Sequence, residues 1–118
     1  MKAIFIILNQ TDYLEDVLNV LIDNGVKGAT ILDSQGMASA IVHGDIHDIP
    51  LFGSLKSVLE GSRPYNKTIF SVIKKDEVVE HVIEEVEQLL EDVKKPGVGF
   101  IFTVPVDNIV PIGYKKSK

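Results

Sequence analysis

The chain has 118 residues, 45% hydrophobic and 25% charged, which is the size and composition of one globular domain with its own core. It contains no cysteine, which excludes disulfides, thiolate metal sites and cysteine nucleophiles. Its net charge of −5 argues against nucleic acid as a partner, because phosphate binding relies on a basic surface. No stretch approaches the roughly 18 apolar residues of a membrane span, and the apolar run over 1–8 is too short for a signal-peptide core. We therefore expect a cytoplasmic protein with no membrane span.

A first strand–helix–strand unit is predicted at the start of the chain. Residues 3–8 are apolar without alternation, as in a strand that is buried on both faces. Asp12 and Glu15 have the spacing of a capping box. The apolar residues that follow recur at intervals of three and four residues, which predicts a helix. The Asn-Gly pair at 24–25 ends that helix, because glycine accepts the left-handed conformation of many helix termini. A strand over about 28–33 follows.

The same unit is predicted a second time. A strand over 68–73 leads to a helix that Asp76 can cap, and the Pro-Gly pair at 96–97 ends the helix. A strand over 99–104 then closes the unit. Two such units predict an α+β, ferredoxin-like βαββαβ sandwich, in which a four-stranded antiparallel sheet carries two helices on one face. We take residues 1–118 as a single domain of this kind.

Such a sheet would have a second apolar face. Strand alternation divides the first strand between the two faces, with Ala3, Phe5 and Ile7 on one and Ile4, Ile6 and Leu8 on the other. In the last strand, Phe100, Phe102 and Val104 alternate with Ile101. Because both helices cover the same face, a monomer would expose the other face, and an exposed apolar patch is an association surface. We expect a homo-oligomer. The alternative is a monomer whose central segment folds back over the sheet.

The second and third predicted strands are separated by residues 35–66, which is well above the usual loop length. Long loops on a compact scaffold often carry function. Within this segment, His43, Asp45 and His47 occupy every second position. An extended backbone would therefore place all three side chains on one side, where they could bind a divalent metal. A solvated loop that happens to hold two histidines is the plainer alternative.

Three stretches of sequence, together with the order of elements, resemble the nitrogen-regulatory PII family. They are residues 25–30 running into the second strand, the glycine at Gly36, and residues 97–110 with the pattern Gly-x-Gly-x-Ile-Phe-x-x-Pro-Val-Asp-Asn-Ile-Val. The resemblance implies a trimer with its sheets facing inward, nucleotide pockets between subunits, and a long loop that contacts a regulated protein. On this basis we expect a pocket formed by Gly36 and Met37 with the Gly97–Gly99 turn of a neighbouring subunit.

The phosphate-binding residues of that family are not matched. Phe100 stands where the family's Gly-Asp-Gly-Lys turn has its lysine, Ser39 stands at an arginine of the long loop, and residues 111–113 stand at a C-terminal Arg-x-Arg pair. A triphosphate needs several cations or clustered backbone donors, and these four cations are missing. We therefore expect a PII-like signalling or ligand-binding regulatory protein whose ligand is less charged than ATP, or whose pocket is vestigial. Its segment over 35–66 would set partner specificity.

The sequence leaves one alternative function open and disfavours another. The alternative is a divalent-metal-binding protein similar to the CutA copper-tolerance proteins, which share this general trimeric architecture, with His43, Asp45 and His47 as ligands. An enzyme is disfavoured because the sequence shows no nucleophile motif and no convergent acid–base set. The sequence does not identify the cofactor, for which an adenine nucleotide and a divalent metal are candidates, and it does not identify the regulated protein.

Overall fold

The computed structural model describes residues 1–37, 65–93 and 97–113. Two helices and four strands follow one another in these ranges, with a short 3-10 helix between the first strand and the first helix. The elements are β1 (Lys2–Leu8), the 3-10 helix (Thr11–Tyr13), α1 (Leu14–Asp23), β2 (Thr30–Ser34), β3 (Asn66–Ile73), α2 (Asp76–Leu90) and β4 (Gly99–Pro105). The strands form one antiparallel sheet in the order β2-β3-β1-β4, which confirms the ferredoxin-like α+β fold.

The core lies between the sheet and the two helices, and β1 is at its centre. Ile4, Ile6 and Leu8 point to the same face of β1 and are each at most 2% exposed. The rest of the core comes from the apolar stripes of both helices and from β3, namely Val17, Leu21, Ile69, Ile73, Val79, Val82 and Val86. Both helices therefore cover one face of the sheet. This follows from their apolar residues, which recur every three or four positions and so form one apolar stripe on each helix. Of the helices in the described ranges, none has both the length and the apolarity needed to cross a bilayer.

The helix starts differ from the prediction. α1 begins at Leu14, its N-cap is Tyr13, and no side chain caps it, so the prediction that Asp12 caps this helix was wrong. Asp12 lies inside the 3-10 turn, whereas an N-cap residue needs a non-helical backbone. α2 likewise begins at Asp76 itself, and its N-cap is Lys75, which has an extended backbone and no side-chain cap bond.

The C-terminal end of α1 forms as the Asn-Gly pair predicts. Gly25 has a φ of +79°, a left-handed conformation that glycine adopts without steric cost. Its N–H donates to the carbonyl of Ile22 at 3.0 Å, and the N–H of Val26 donates to the carbonyl of Leu21 at 3.0 Å. These two bonds form the Schellman arrangement, which satisfies carbonyls that the helix end would otherwise leave unpaired.

β2 begins later than predicted and leaves part of β3 without a neighbour on that side. The first pair of the β2–β3 ladder joins Thr30 to Phe70, whereas β3 continues to Ile73. Beyond the ladder, the hydroxyl of Ser71 donates to the carbonyl of Gly28. The chain before β2 is therefore tied to β3 by a side chain in place of regular strand pairing.

Gly99 has no room for a side chain beside the neighbouring strand, and this gives a testable prediction. A Cβ on Gly99 would lie 2.2 Å from the carbonyl oxygen of Ile7 on the neighbouring strand. Because this obstacle is backbone, β4 would have to shift, and we expect Gly99→Ala to lower the free energy of unfolding by about 1–3 kcal/mol in urea denaturation. The matched control is Gly28→Ala, since no atom lies within 4 Å of a Cβ there. Equal destabilisation by both changes would contradict the steric explanation.

Candidate functional site

All four strands have an end at the side of the sheet where the central segment leaves and returns. β1 ends and β4 begins there, with Leu8 paired to Gly99, and β2 ends where β3 begins, with Ser34 paired to Asn66. We call this side the loop end. It carries Gly36 and Met37 just after β2, and it carries the turn before β4. The topology therefore brings both halves of the predicted pocket motif to one side of the protomer.

A hydrogen-bonded network crosses the loop end. The side-chain amide of Asn9 donates to the carbonyl of Gly97 at 2.8 Å, and the side-chain amide of Asn66 donates to Asn9 Oδ1 at 3.1 Å. The hydroxyl of Ser34 donates to Asn66 Oδ1 and lies 2.8 Å from the hydroxyl of Thr68. We call this network the asparagine bridge. It connects the last residue of β2 to the turn that precedes β4.

The asparagine bridge is partly withdrawn from water. Asn66 is 9% exposed, and no buried side-chain nitrogen or oxygen in the described ranges lacks a hydrogen-bond partner. The backbone adds to the bridge, because the N–H of Asn9 donates to the carbonyl of Val98 at 2.9 Å. A buried amide that lost its partners would cost about 1–3 kcal/mol, so the bridge favours one arrangement of the loop end.

The structure places the four predicted pocket residues in different surroundings. A Cβ on Gly36 would lie 3.9 Å from Asn66 Nδ2, so its backbone borders the asparagine bridge. Met37 is 77% exposed. Gly97 accepts the hydrogen bond of the bridge and has a φ of +67°, whereas Gly99 is already part of β4. Gly36 and Gly97 are thus linked within one protomer, and a pocket shared with a neighbouring subunit stays a prediction.

An apolar groove of about 370 Å³ lies beside the turn before β4, between that strand and α2. Its side chains are mostly aliphatic and come from α2, β4 and the turn, namely Ile83, Val86, Leu90, Val98 and Ile101. Glu87 is the one charged residue among the described residues that line it. The groove therefore offers apolar contact and a carboxylate, and its described lining has no cation for a phosphate.

Phe100, which the sequence resemblance aligns with a lysine, belongs to an aromatic row on the face turned away from the helices. We call this face the open face. The rings of Phe70 and Phe5 have centroids 5.6 Å apart, those of Phe5 and Phe102 are 4.7 Å apart, and those of Phe102 and Phe100 are 6.2 Å apart. The row crosses β3, β1 and β4. Residue 100 therefore contributes an aromatic contact to the open face.

The predicted metal ligands His43, Asp45 and His47 lie outside the described residues. Within the ranges that the structure does describe, no group of three or more His, Cys, Asp or Glu side chains could hold a metal ion. The metal site therefore stays a prediction.

Sequence reasoning missed the two asparagines. Asn9 and Asn66 are neither ionisable nor part of a ligand motif, and they lie far apart in the chain. A weak signal was available, because each is a polar residue at the end of an apolar strand, where the backbone leaves the sheet. Such a position requires hydrogen-bond partners but does not indicate which residues supply them.

The sheet order and the placement of both helices define a ferredoxin-like α+β domain, and one comparison identifies its family. The family model described as "Nitrogen regulatory protein P-II" matches residues 1–116. The chain belongs to this family of regulatory proteins, which confirms the resemblance found in the sequence. A comparison with curated proteins found no significant match to the chain.

The asparagine bridge gives a second prediction. Asn66→Ala removes the amide that Asn9 and Ser34 contact, and we expect it to lower the free energy of unfolding by about 1–3 kcal/mol in urea denaturation. The backbone amide resonance of Gly97 should also shift, because the amide of Asn9 would lose one of its anchors. Asn19→Ala on the exposed face of α1 is the control, with an expected change within about 0.5 kcal/mol. An Asn66 variant as stable as the control would mean that the bridge does not hold the loop end.

Proposed function

We propose that this chain is a PII-like signalling or ligand-binding regulatory protein that acts in the cytoplasm as a homo-oligomer, specifically a trimer, and not as an enzyme. Membership of the P-II family supports the regulatory role. The observation that carries the oligomer is the apolar open face, which neither helix covers.

The open face carries apolar side chains from all four strands. Phe100 is 59% exposed and Phe102 is 43% exposed, and other apolar side chains with substantial exposure are Leu32 and Val104. Among the described strand positions, this face carries no charged residue, and its polar side chains are hydroxyls and the amide of Asn66. A large apolar patch on a soluble protein marks an interaction surface, because its burial removes unfavourable contact with water. An uncharged patch creates no charge repulsion when a second copy of the same face approaches it.

The ligand pocket in this proposal lies between subunits. Gly36 and Met37 of one subunit would form it with the Gly97–Gly99 turn of a neighbour. The apolar groove beside that turn and the aromatic packing of Phe100 support a ligand that is less charged than ATP. Binding there would regulate a partner by favouring one arrangement of the segment over 35–66, since a ligand shifts only equilibria whose states it binds unequally.

A charge placed in the aromatic row tests the oligomer. We expect the wild-type chain to have the mass of a trimer in light scattering after size exclusion, and Phe102→Asp to shift it to the mass of a monomer, because a carboxylate is costly to bury between apolar faces. Gln88→Asp introduces the same charge on the exposed side of α2 and should leave the mass unchanged. A monomeric wild-type protein, or a Phe102→Asp variant with the wild-type mass, would overturn this part of the proposal.

Thermal unfolding of the oligomer with ligands tests the pocket. A ligand at a hundred times its Kd stabilises the folded state by about 2.7 kcal/mol, which raises Tm by several degrees in a domain of this size. We expect ATP and ADP with Mg²⁺ to give no such rise, because the phosphate-binding cations are missing. A clear rise with ATP would show classical nucleotide sensing. A rise with a divalent metal that is lost in a His43→Ala/His47→Ala variant would favour the metal-binding alternative.

A further inference from the structure

A larger cleft lies at the opposite end of the sheet from the asparagine bridge. Its volume is about 830 Å³, within the range of about 300–1,000 Å³ that is typical of small-molecule sites. It opens beside the part of β3 that extends past the first residue of β2. Its two sides are residues 71–73 of β3 and the chain segment over 24–29. Ser71 closes one side of it through its hydrogen bond to Gly28.

Three lysines line this cleft. Lys27 comes from the segment before β2, and Lys74 and Lys75 come from the connection between β3 and α2. The described lining contains no Asp or Glu, although the whole chain has a net charge of −5. Within the described ranges, no ion pair joins any of these lysines to a carboxylate. The cleft is therefore a local concentration of positive charge on an acidic protein, and we call it the lysine cleft.

The remaining side chains of the lysine cleft are largely apolar. They come from β3, from the start of α2, from the loop before β2 and from the segment after β4, namely Val26, Phe70, Val72, Val78 and Ile109. Ile109 is 44% exposed, so a ligand could gain further contact with it. A site with apolar walls and a few charged groups suits a molecule that has an apolar body and one charged end.

We propose that the lysine cleft binds a small amphipathic anion, a molecule with an aromatic or aliphatic body that carries a carboxylate or a phosphate. The body packs against Val26, Val78 and Ile109, and the anionic group lies among the ammonium groups of Lys27, Lys74 and Lys75. Phe70 and Val72 also line the cleft, but they lie on the open face, which the proposed trimer covers. The site shares no residue with the proposed pocket at the loop end, so it stands or fails independently of that pocket.

Two naphthalene probes test this proposal on the chain of 118 residues. They are 1-naphthyl phosphate and 1-naphthaleneacetate, with 1-naphthol as the uncharged body and inorganic phosphate as the anion without a body. In amide NMR spectra, we expect the charged probes to shift the resonances of Gly25 and Gly28, and to leave those of Gly97 and Gly99 in place. Naphthol and phosphate should each bind more weakly than the probe that combines them. The charged probe with the lower Kd shows whether the site prefers a phosphate or a carboxylate.

Lysine variants separate binding in this cleft from adsorption elsewhere. The Lys27→Ala/Lys74→Ala/Lys75→Ala variant should bind the better probe about tenfold more weakly, because three exposed charge contacts are lost together. The corresponding Arg variant should retain binding, since it keeps the charges. Lys67→Ala is the matched control, because Lys67 lies near the other end of β3, where it pairs with Asp33. Unchanged affinity in the triple Ala variant, equal binding of naphthol, or shifts confined to Gly97 and Gly99 would each overturn the proposal.

Discussion

β1 is hydrogen bonded to a strand on each side and is apolar on both faces, so each of its two faces has to be shielded from water by other apolar groups. The first cover is supplied within the chain, because both helices lie over Ile4, Ile6 and Leu8. Complete burial of one such side chain contributes about 1.5–3 kcal/mol, which makes this layer the main source of stability. No described part of the chain covers the other face. There Phe5 lies in an aromatic row whose β4 members, Phe100 and Phe102, are exposed to water. The proposed trimer and its inter-subunit pocket both depend on how that second face is covered.

The fold could be predicted because its determinants are local and repeated. Each element is indicated by residues close together in the sequence. The strands have apolar runs, the helices have apolar residues three and four positions apart, and the Asn-Gly pair at 24–25 marks the end of α1. The start of α1 could not be predicted in the same way. After β1, the N–H groups of Asn9 and Gln10 are held by the carbonyl of Val98, which is distant in sequence. The chain then enters a 3-10 turn, and Asp12 falls inside it.

The glycines of the predicted pocket come from the family pattern and their role stays a prediction, whereas the side chains around them could not be predicted from the sequence. Gly36 and Gly97 were recognisable from the family pattern, whereas the side chains that join their surroundings are Asn9 and Asn66, which no motif includes. The expectation of a ligand less charged than ATP rests partly on Phe100, which the resemblance aligns with a lysine, and it stays a prediction. The aromatic row that Phe100 joins needed the strand register, because alternation alone does not show which rings become neighbours. The lysine cleft depends on the late start of β2, and element boundaries are the least predictable feature of a sequence.

The Ser34–Asn66 pair has a consequence for how this protein can diverge. The pair closes the long central segment at its base, and the asparagine bridge reinforces the closure from the side of β1. Once a loop is closed by a stable pair, doubling its length costs only about 0.6 kcal/mol of closure entropy. By this estimate, a change in the number of residues between Ser34 and Asn66 costs the sheet little free energy of folding. If the segment over 35–66 sets partner specificity, as proposed, that specificity can change in sequence while the β2–β3 register is kept.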